Sequence, residues 1–116
     1  MLTTKISDKV QEELKAILQE HQWETVIDLY QMDWDHLCIE HTLSEDFIEY
    51  FQDKLNWDLI SKYQILSEQF IEKFQDKVFW DYISEYQILS KPFIVKHQDK
   101  LDMNYLIREN KFRFKI

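Results

Sequence analysis

Three sets of side chains in this chain are of types that do chemistry. His36, Cys38 and His41 are zinc ligands by type, but at 100° per residue they spread over about 200° of a helix and share no face. Cys38 also falls in register with Ser61 and Ser84, where a small packing residue is expected. The carboxylates recur in register: Glu45/Glu68, Asp53/Asp76/Asp99 and Asp58/Asp81. An acid/base pair of the glycosidase kind needs a pocket between its members, which thin two-helix arrays seldom make. Helix termini explain these acids instead, Asp53, Asp76 and Asp99 as caps and the rest as first-turn residues favoured by the helix dipole. Trp34, Trp57 and Trp80 are spaced by 23 residues and offer an aromatic ladder on which bases or a peptide would stack. Their strict period instead makes them core residues filling the gap between layers. No glycine is present, so phosphate-cradling loops, dinucleotide fingerprints and nucleophile elbows lack their usual residues. The chain is therefore expected to be no enzyme, with no catalytic residue, cofactor or metal.

The elements that position these residues come from a repeat. LSEDFIEYFQDKLNWDLISKYQI (43–65) and LSEQFIEKFQDKVFWDYISEYQI (66–88) are followed by the divergent LSKPFIVKHQDKLDMNYLIREN (89–110). The first two agree at most positions, surface positions included, so this is a recent duplication. A fixed period of this length predicts an all-α, short helical-repeat solenoid of paired helices in one domain. Ser44, Ser67 and Ser90 are read as N-caps of a first helix (45–52 and equivalents), with Leu43/Ile48 and its counterparts as a hydrophobic staple. A second helix follows and runs to Gln64 or its equivalents. Residues 22–42 form a degenerate repeat in which Trp34 keeps the register and VIDLYQ (26–31) matches the first helix. Residues 1–21 supply an N-terminal capping helix over about 8–21, with Ser7 as its cap and a stripe of Val10, Leu14, Ile17 and Leu18. The alternating KFRFKI (111–116) reads as a short strand or a tail that orders on binding.

Charge is unevenly spread. The net charge is −8, with residues 1–42 and the first two repeats acidic and residues 89–116 basic. Head-to-tail self-association is one consequence this predicts. The lone Cys38 and the polar MLTTKISDK start predict a reducing, cytoplasmic location, and no apolar run approaches a membrane span.

The run W-D-x-I-S-x-Y-Q-x-L-S-x-x-F-I-x-x-F-Q-D-K, carried by Trp57 through Lys77 and continuing to Lys100, resembles short tandem repeats in uncharacterised proteins of giant DNA viruses, bacteriophages and low-GC bacteria. The resemblance implies an adaptor-like binding surface in a setting where inhibitors of host proteins occur. Met103, Ile107 and Glu109 depart from the motif, as a terminal repeat does.

These readings predict a non-enzymatic protein–protein interaction module whose partner is another protein, with no direct nucleic-acid binding and no membrane. The expected contact residues are the variable stripe Tyr50, Lys73 and Lys96, the acids Glu45, Glu49, Glu68 and Glu72, and the basic Lys111, Arg113 and Lys115. Two alternatives stand beside it. One is an acidic inhibitor that blocks a host nucleic-acid-binding protein by charge mimicry. The other is a self-assembling structural protein.

Overall fold

A computed structural model describes residues 7–20 and 33–113, and every regular element within them is an α-helix. In chain order these are α1 (Asp8–Glu20), α2 (Trp34–Glu40), α3 (Glu45–Tyr50), α4 (Trp57–Tyr63), α5 (Glu68–Lys73), α6 (Trp80–Tyr86), α7 (Lys91–Lys96) and α8 (Met103–Arg108). The 26–31 segment and the end of the capping helix expected beyond Glu20 lie outside the described residues.

Serine starts the first helix of each repeat. The hydroxyls of Ser44, Ser67 and Ser90 accept the backbone N–H of Phe47, Phe70 and Phe93 at 3.1, 3.1 and 3.3 Å. Ser7 does the same for Val10 in α1 at 3.2 Å. These first helices end two residues before the expected position, because the chain turns at once. Lys54, Lys77 and Lys100 donate their N–H groups to the carbonyls of Phe51, Phe74 and His97 at 2.9, 2.8 and 2.9 Å. The Gln52, Gln75 and Gln98 carboxamides fold back onto the carbonyls of Glu49, Glu72 and Val95, satisfying part of each helix end.

Asp53, Asp76 and Asp99 do not cap the second helices, contrary to the expectation from sequence. Those helices begin at Trp57, Trp80 and Met103, with Asn56, Phe79 and Asp102 at the cap position. The chain is held in a turn there, and in the first two repeats the indole adds to it: Trp57 Nε1 donates to the Gln52 carbonyl and Trp80 Nε1 to that of Gln75, each at 3.0 Å. In the third, where Met103 replaces tryptophan, the Lys100 N–H bond to the His97 carbonyl keeps the same turn. The Gln-Asp-Lys residues are thus committed to the turn. Phe79 has no side chain able to cap. Its own N–H donates to Ser61 Oγ at 2.9 Å, and that of Asp102 to Ser84 Oγ at 2.8 Å.

The second helices pack in sequence, α2 on α4, α4 on α6 and α6 on α8, while α1 lies against α3. The body measures 58 × 28 × 18 Å. One hydrophobic core runs its length from Val10 to Phe112. Leu37, Ile60, Ile83 and Leu106 form its centre, with the fully buried Cys38, Ser61 and Ser84 beside them. Burial pushes the Cys38 thiol up to about 11, so it is a protonated packing group at neutral pH. The tryptophans are half-buried and stack across layers: Trp57 lies 5.3 Å from Phe74, and Trp80 lies 5.3 Å from His97. Val10 and Ile17 of α1 are buried and Leu14 and Leu18 pack against them, which realises the predicted stripe.

The described part of the C-terminal tail, 111–113, is neither strand nor helix. Asn110 takes a left-handed backbone (φ 60°), and Lys111 N–H donates to the Leu106 carbonyl and Asn110 N–H to that of Ile107. This is a Schellman end to α8, with asparagine in the place usually held by glycine. It returns Phe112 to the core, while 114–116 lie outside the described residues.

Candidate interaction surface

Three sets of bonds recur at the 23-residue step, and they decide which side chains remain for a partner. The first joins neighbouring first helices. The Glu45 carboxylate accepts both the N–H (2.6 Å) and the hydroxyl (3.0 Å) of Ser67, and Glu68 accepts both from Ser90. Glu13 of α1 takes both groups of Ser44, as Glu45 and Glu68 do for the serines that follow. The second set is ionic. Glu49 meets Lys73 at 2.9 Å, and Glu72 meets Lys96 at 2.6 Å and His97 Nε2 at 3.0 Å.

The third set is buried, and sequence reading missed it. Gln64 Oε1 accepts the Leu43 N–H at 2.8 Å, while its Nε2 donates to the carbonyls of Cys38 and His41 at 2.7 and 2.6 Å. Gln87 repeats the arrangement with the Leu66 N–H (3.0 Å) and the Ser61 and Gln64 carbonyls (2.9 and 2.6 Å). Each carboxamide therefore uses its acceptor and both donors on backbone that would otherwise be buried without partners. The recurrence of Tyr-Gln-Ile in the first two repeats was the available signal, but a glutamine at a helix end reads as solvated until the fold places it.

The predicted contact residues are accordingly divided. Glu45, Glu49, Glu68, Glu72, Lys73 and Lys96 are engaged within the chain, and Tyr50 is exposed with its ring 4.9 Å from that of Phe51. Lys111 Nζ donates to the Glu85 carbonyl at 2.7 Å, and Arg113 donates to Asn110 Oδ1 at 3.1 Å. Lys115 lies outside the described residues. Of these residues the structure brings Glu49 against Lys73 and Glu72 against Lys96.

Another set of residues stands clear of the core. Ile65 and Ile88 are 86% and 95% exposed, and Tyr63 and Tyr86 are 45% exposed each. All four sit at the ends of α4 and α6, one pair per repeat. Lys62 Nζ lies 5.2, 5.5 and 5.4 Å from the ring centroids of Tyr63, Tyr82 and Tyr86, and Phe79 meets Tyr82 edge-on at 4.7 Å. The ammonium is held by ring faces, and among the described residues no carboxylate pairs with it. The result is an apolar, aromatic ridge along the second helices.

Among the described residues no cluster of three or more metal-ligating side chains occurs, and no helix is long and apolar enough to cross a membrane. Neither a protein-family model, a curated protein nor a solved structure matches the chain.

The Glu72 cluster sets a pH dependence. Its carboxyl is held below the usual carboxylate range, first by the Lys96 ammonium and then by the His97 ring. A depressed folded pKa contributes stability above the unfolded carboxylate pKa, and this is lost as pH falls through the folded value. Urea midpoints measured from neutral pH down to about pH 3 are expected to fall less steeply in Glu72→Gln than in wild type, because that variant has no Glu72 proton to take up. Equal slopes would remove Glu72 from the acid response.

Proposed function

We propose that the chain is a helical-repeat solenoid that acts as a non-enzymatic protein-interaction module, and that its contact face is the Tyr63/Ile65–Tyr86/Ile88 ridge. The observation that carries this reading is the near-complete exposure of Ile65 and Ile88 at equivalent positions of two repeats. Two large aliphatic side chains outside the core, flanked by tyrosines and a ring-held lysine, have the composition of an interface centre. Between the first two repeats and their neighbours the polar couplings are satisfied internally, which leaves the ridge exposed.

The alternative of an acidic nucleic-acid mimic draws less support. Of its three acid rows, Glu45/Glu68 and Glu49/Glu72 are spent on neighbouring serines and lysines, and only Asp58/Asp81 takes no part in these bonds. Head-to-tail assembly by further stacking is also weakened. In the third repeat Lys91, Val95 and Ile107 stand where Glu68, Glu72 and Ser84 make the bonds to the next layer.

The test compares Ile65→Asp/Ile88→Asp with Tyr50→Ala/Lys73→Ala as baits in lysate of the source or host cell, followed by affinity measurement on the protein captured. The ridge variant is expected to lose at least about 30-fold in affinity, about 2 kcal/mol. It should keep the wild-type melting profile, since surface changes of this kind stay within about 0.5 kcal/mol. The stripe variant is expected to bind within about threefold of wild type. A ridge variant that binds as wild type does would end this reading.

A further inference from the structure

The third repeat lacks the carboxamide that closes the first two. Gln64 and Gln87 correspond to Asn110, which is one methylene shorter and turned away by its left-handed backbone, with its Oδ1 taken by Arg113. The three backbone groups that a glutamine would engage are the Leu89 N–H and the carbonyls of Ser84 and Gln87. These match Leu66 N–H, Ser61 O and Gln64 O one repeat earlier. Among the described residues nothing bonds the Leu89 N–H, and nothing from the third repeat reaches the two carbonyls. Lys111 stops short of them, on the neighbouring Glu85 carbonyl. At this place a groove of about 290 Å³ opens between Gln87, Leu89, Ile94 and Lys111, with Tyr86 and Ile88 on its wall.

We propose that this groove is a recognition slot for a glutamine side chain presented by a protein partner. The chain itself shows what fits: in two layers the same N–H and two carbonyls are met by one primary carboxamide, which offers one acceptor and two donors in a plane. A carboxylate offers no donor to the carbonyls, and an ammonium offers no acceptor to the N–H. The slot is continuous with the ridge through Tyr86 and Ile88, so a partner lying on the ridge reaches it. The proposal rests in that respect on the interaction reading above.

Amide exchange on the full-length, isotope-labelled chain tests it. In the free protein the Leu89 amide is expected to exchange at least about 100-fold faster than those of Leu43 and Leu66, which glutamine carboxamides hold. The probe is a synthetic peptide copying residues 80–90, with the same peptide carrying Gln87→Glu as control. The first is expected to move the Leu89 amide proton downfield and slow its exchange, and the control to bind at least about tenfold more weakly. A Leu89 amide already as protected as Leu66, equal binding by both peptides, or no effect at Leu89 at millimolar peptide would each overturn the proposal. Exchange at Leu89 that slows with protein concentration alone would assign the groove to a second copy and overturn it equally. Ile65 does not line the groove, so Ile65→Asp leaves the peptide's effect at Leu89 intact, and a failed ridge is read separately from a failed slot.

Discussion

Gln87→Ala is expected to cost about 3–4 kcal/mol of folding stability, far more than truncating a glutamine usually does. The side chain is 7% exposed, and its removal leaves the Leu66 N–H and the Ser61 and Gln64 carbonyls without partners. Each such group costs about 1–3 kcal/mol when it stays dry, and water entering the gap recovers part of that. Gln87→Glu is expected to be worse at neutral pH although it keeps the shape. One carboxylate oxygen still accepts from Leu66, but the other faces two carbonyl oxygens with no proton to share. Burial raises the pKa of that glutamate in the folded state, so stability falls as pH rises and is partly regained on acidification, when the protonated form donates once. Urea unfolding at pH 7 and pH 4, with wild type beside it at each pH, reads both effects. An alanine variant within about 1 kcal/mol of wild type would mean that the carboxamide is incidental to the fold.

Deleting residues 66–88 is expected to leave a folded, cooperatively unfolding protein, whereas deleting 66–87 is expected to leave a less stable one. The first deletion removes one whole period. Leu89 then follows Ile65 as Leu66 does now, Glu45 meets Ser90, Glu49 meets Lys96 and His97, and Ser61 receives the Asp102 N–H. The lost layer takes its two interfaces and replaces them with one, so the urea midpoint should drop by about 1–2 M. The shorter deletion leaves one residue too many, Ile88, in the non-helical connection before the next serine cap, so Leu89 and Ser90 reach their places only if that connection loops out. Circular dichroism with urea titration distinguishes the two. A 66–88 deletion that unfolds would show that the middle repeat is not exchangeable with its neighbours, and the solenoid reading would lose its main support.

The sequence made the helical class, the serine caps, the α1 stripe and the interlayer tryptophans legible, because each is a local pattern repeated in register. The start of the second helices was not legible. Asp53, Asp76 and Asp99 have the residue type of a cap, and only the backbone bonds of Lys54, Lys77 and Lys100, with the indole bonds to Gln52 and Gln75, show that those residues belong to a turn. The bonds of the glutamates were not legible for a related reason. Acids repeated in a first turn look like a solvated row until the next serine or lysine is seen beside them. The exposure of Ile65 and Ile88 was not legible either, because duplication this recent preserves surface and core alike and leaves no contrast between them.

The placement of the glutamines also has a consequence for synthesis. Each lies at the close of its own 23-residue unit and bonds the Leu43 or Leu66 N–H at that unit's opening. On a ribosome, then, a nascent unit has its backbone left open until nearly its last residue has emerged, and closes in a single step when the carboxamide arrives. Growth of the folded body is therefore ratcheted in the direction of translation, one period at a time. The third unit, which has Asn110 at that place, lacks that step.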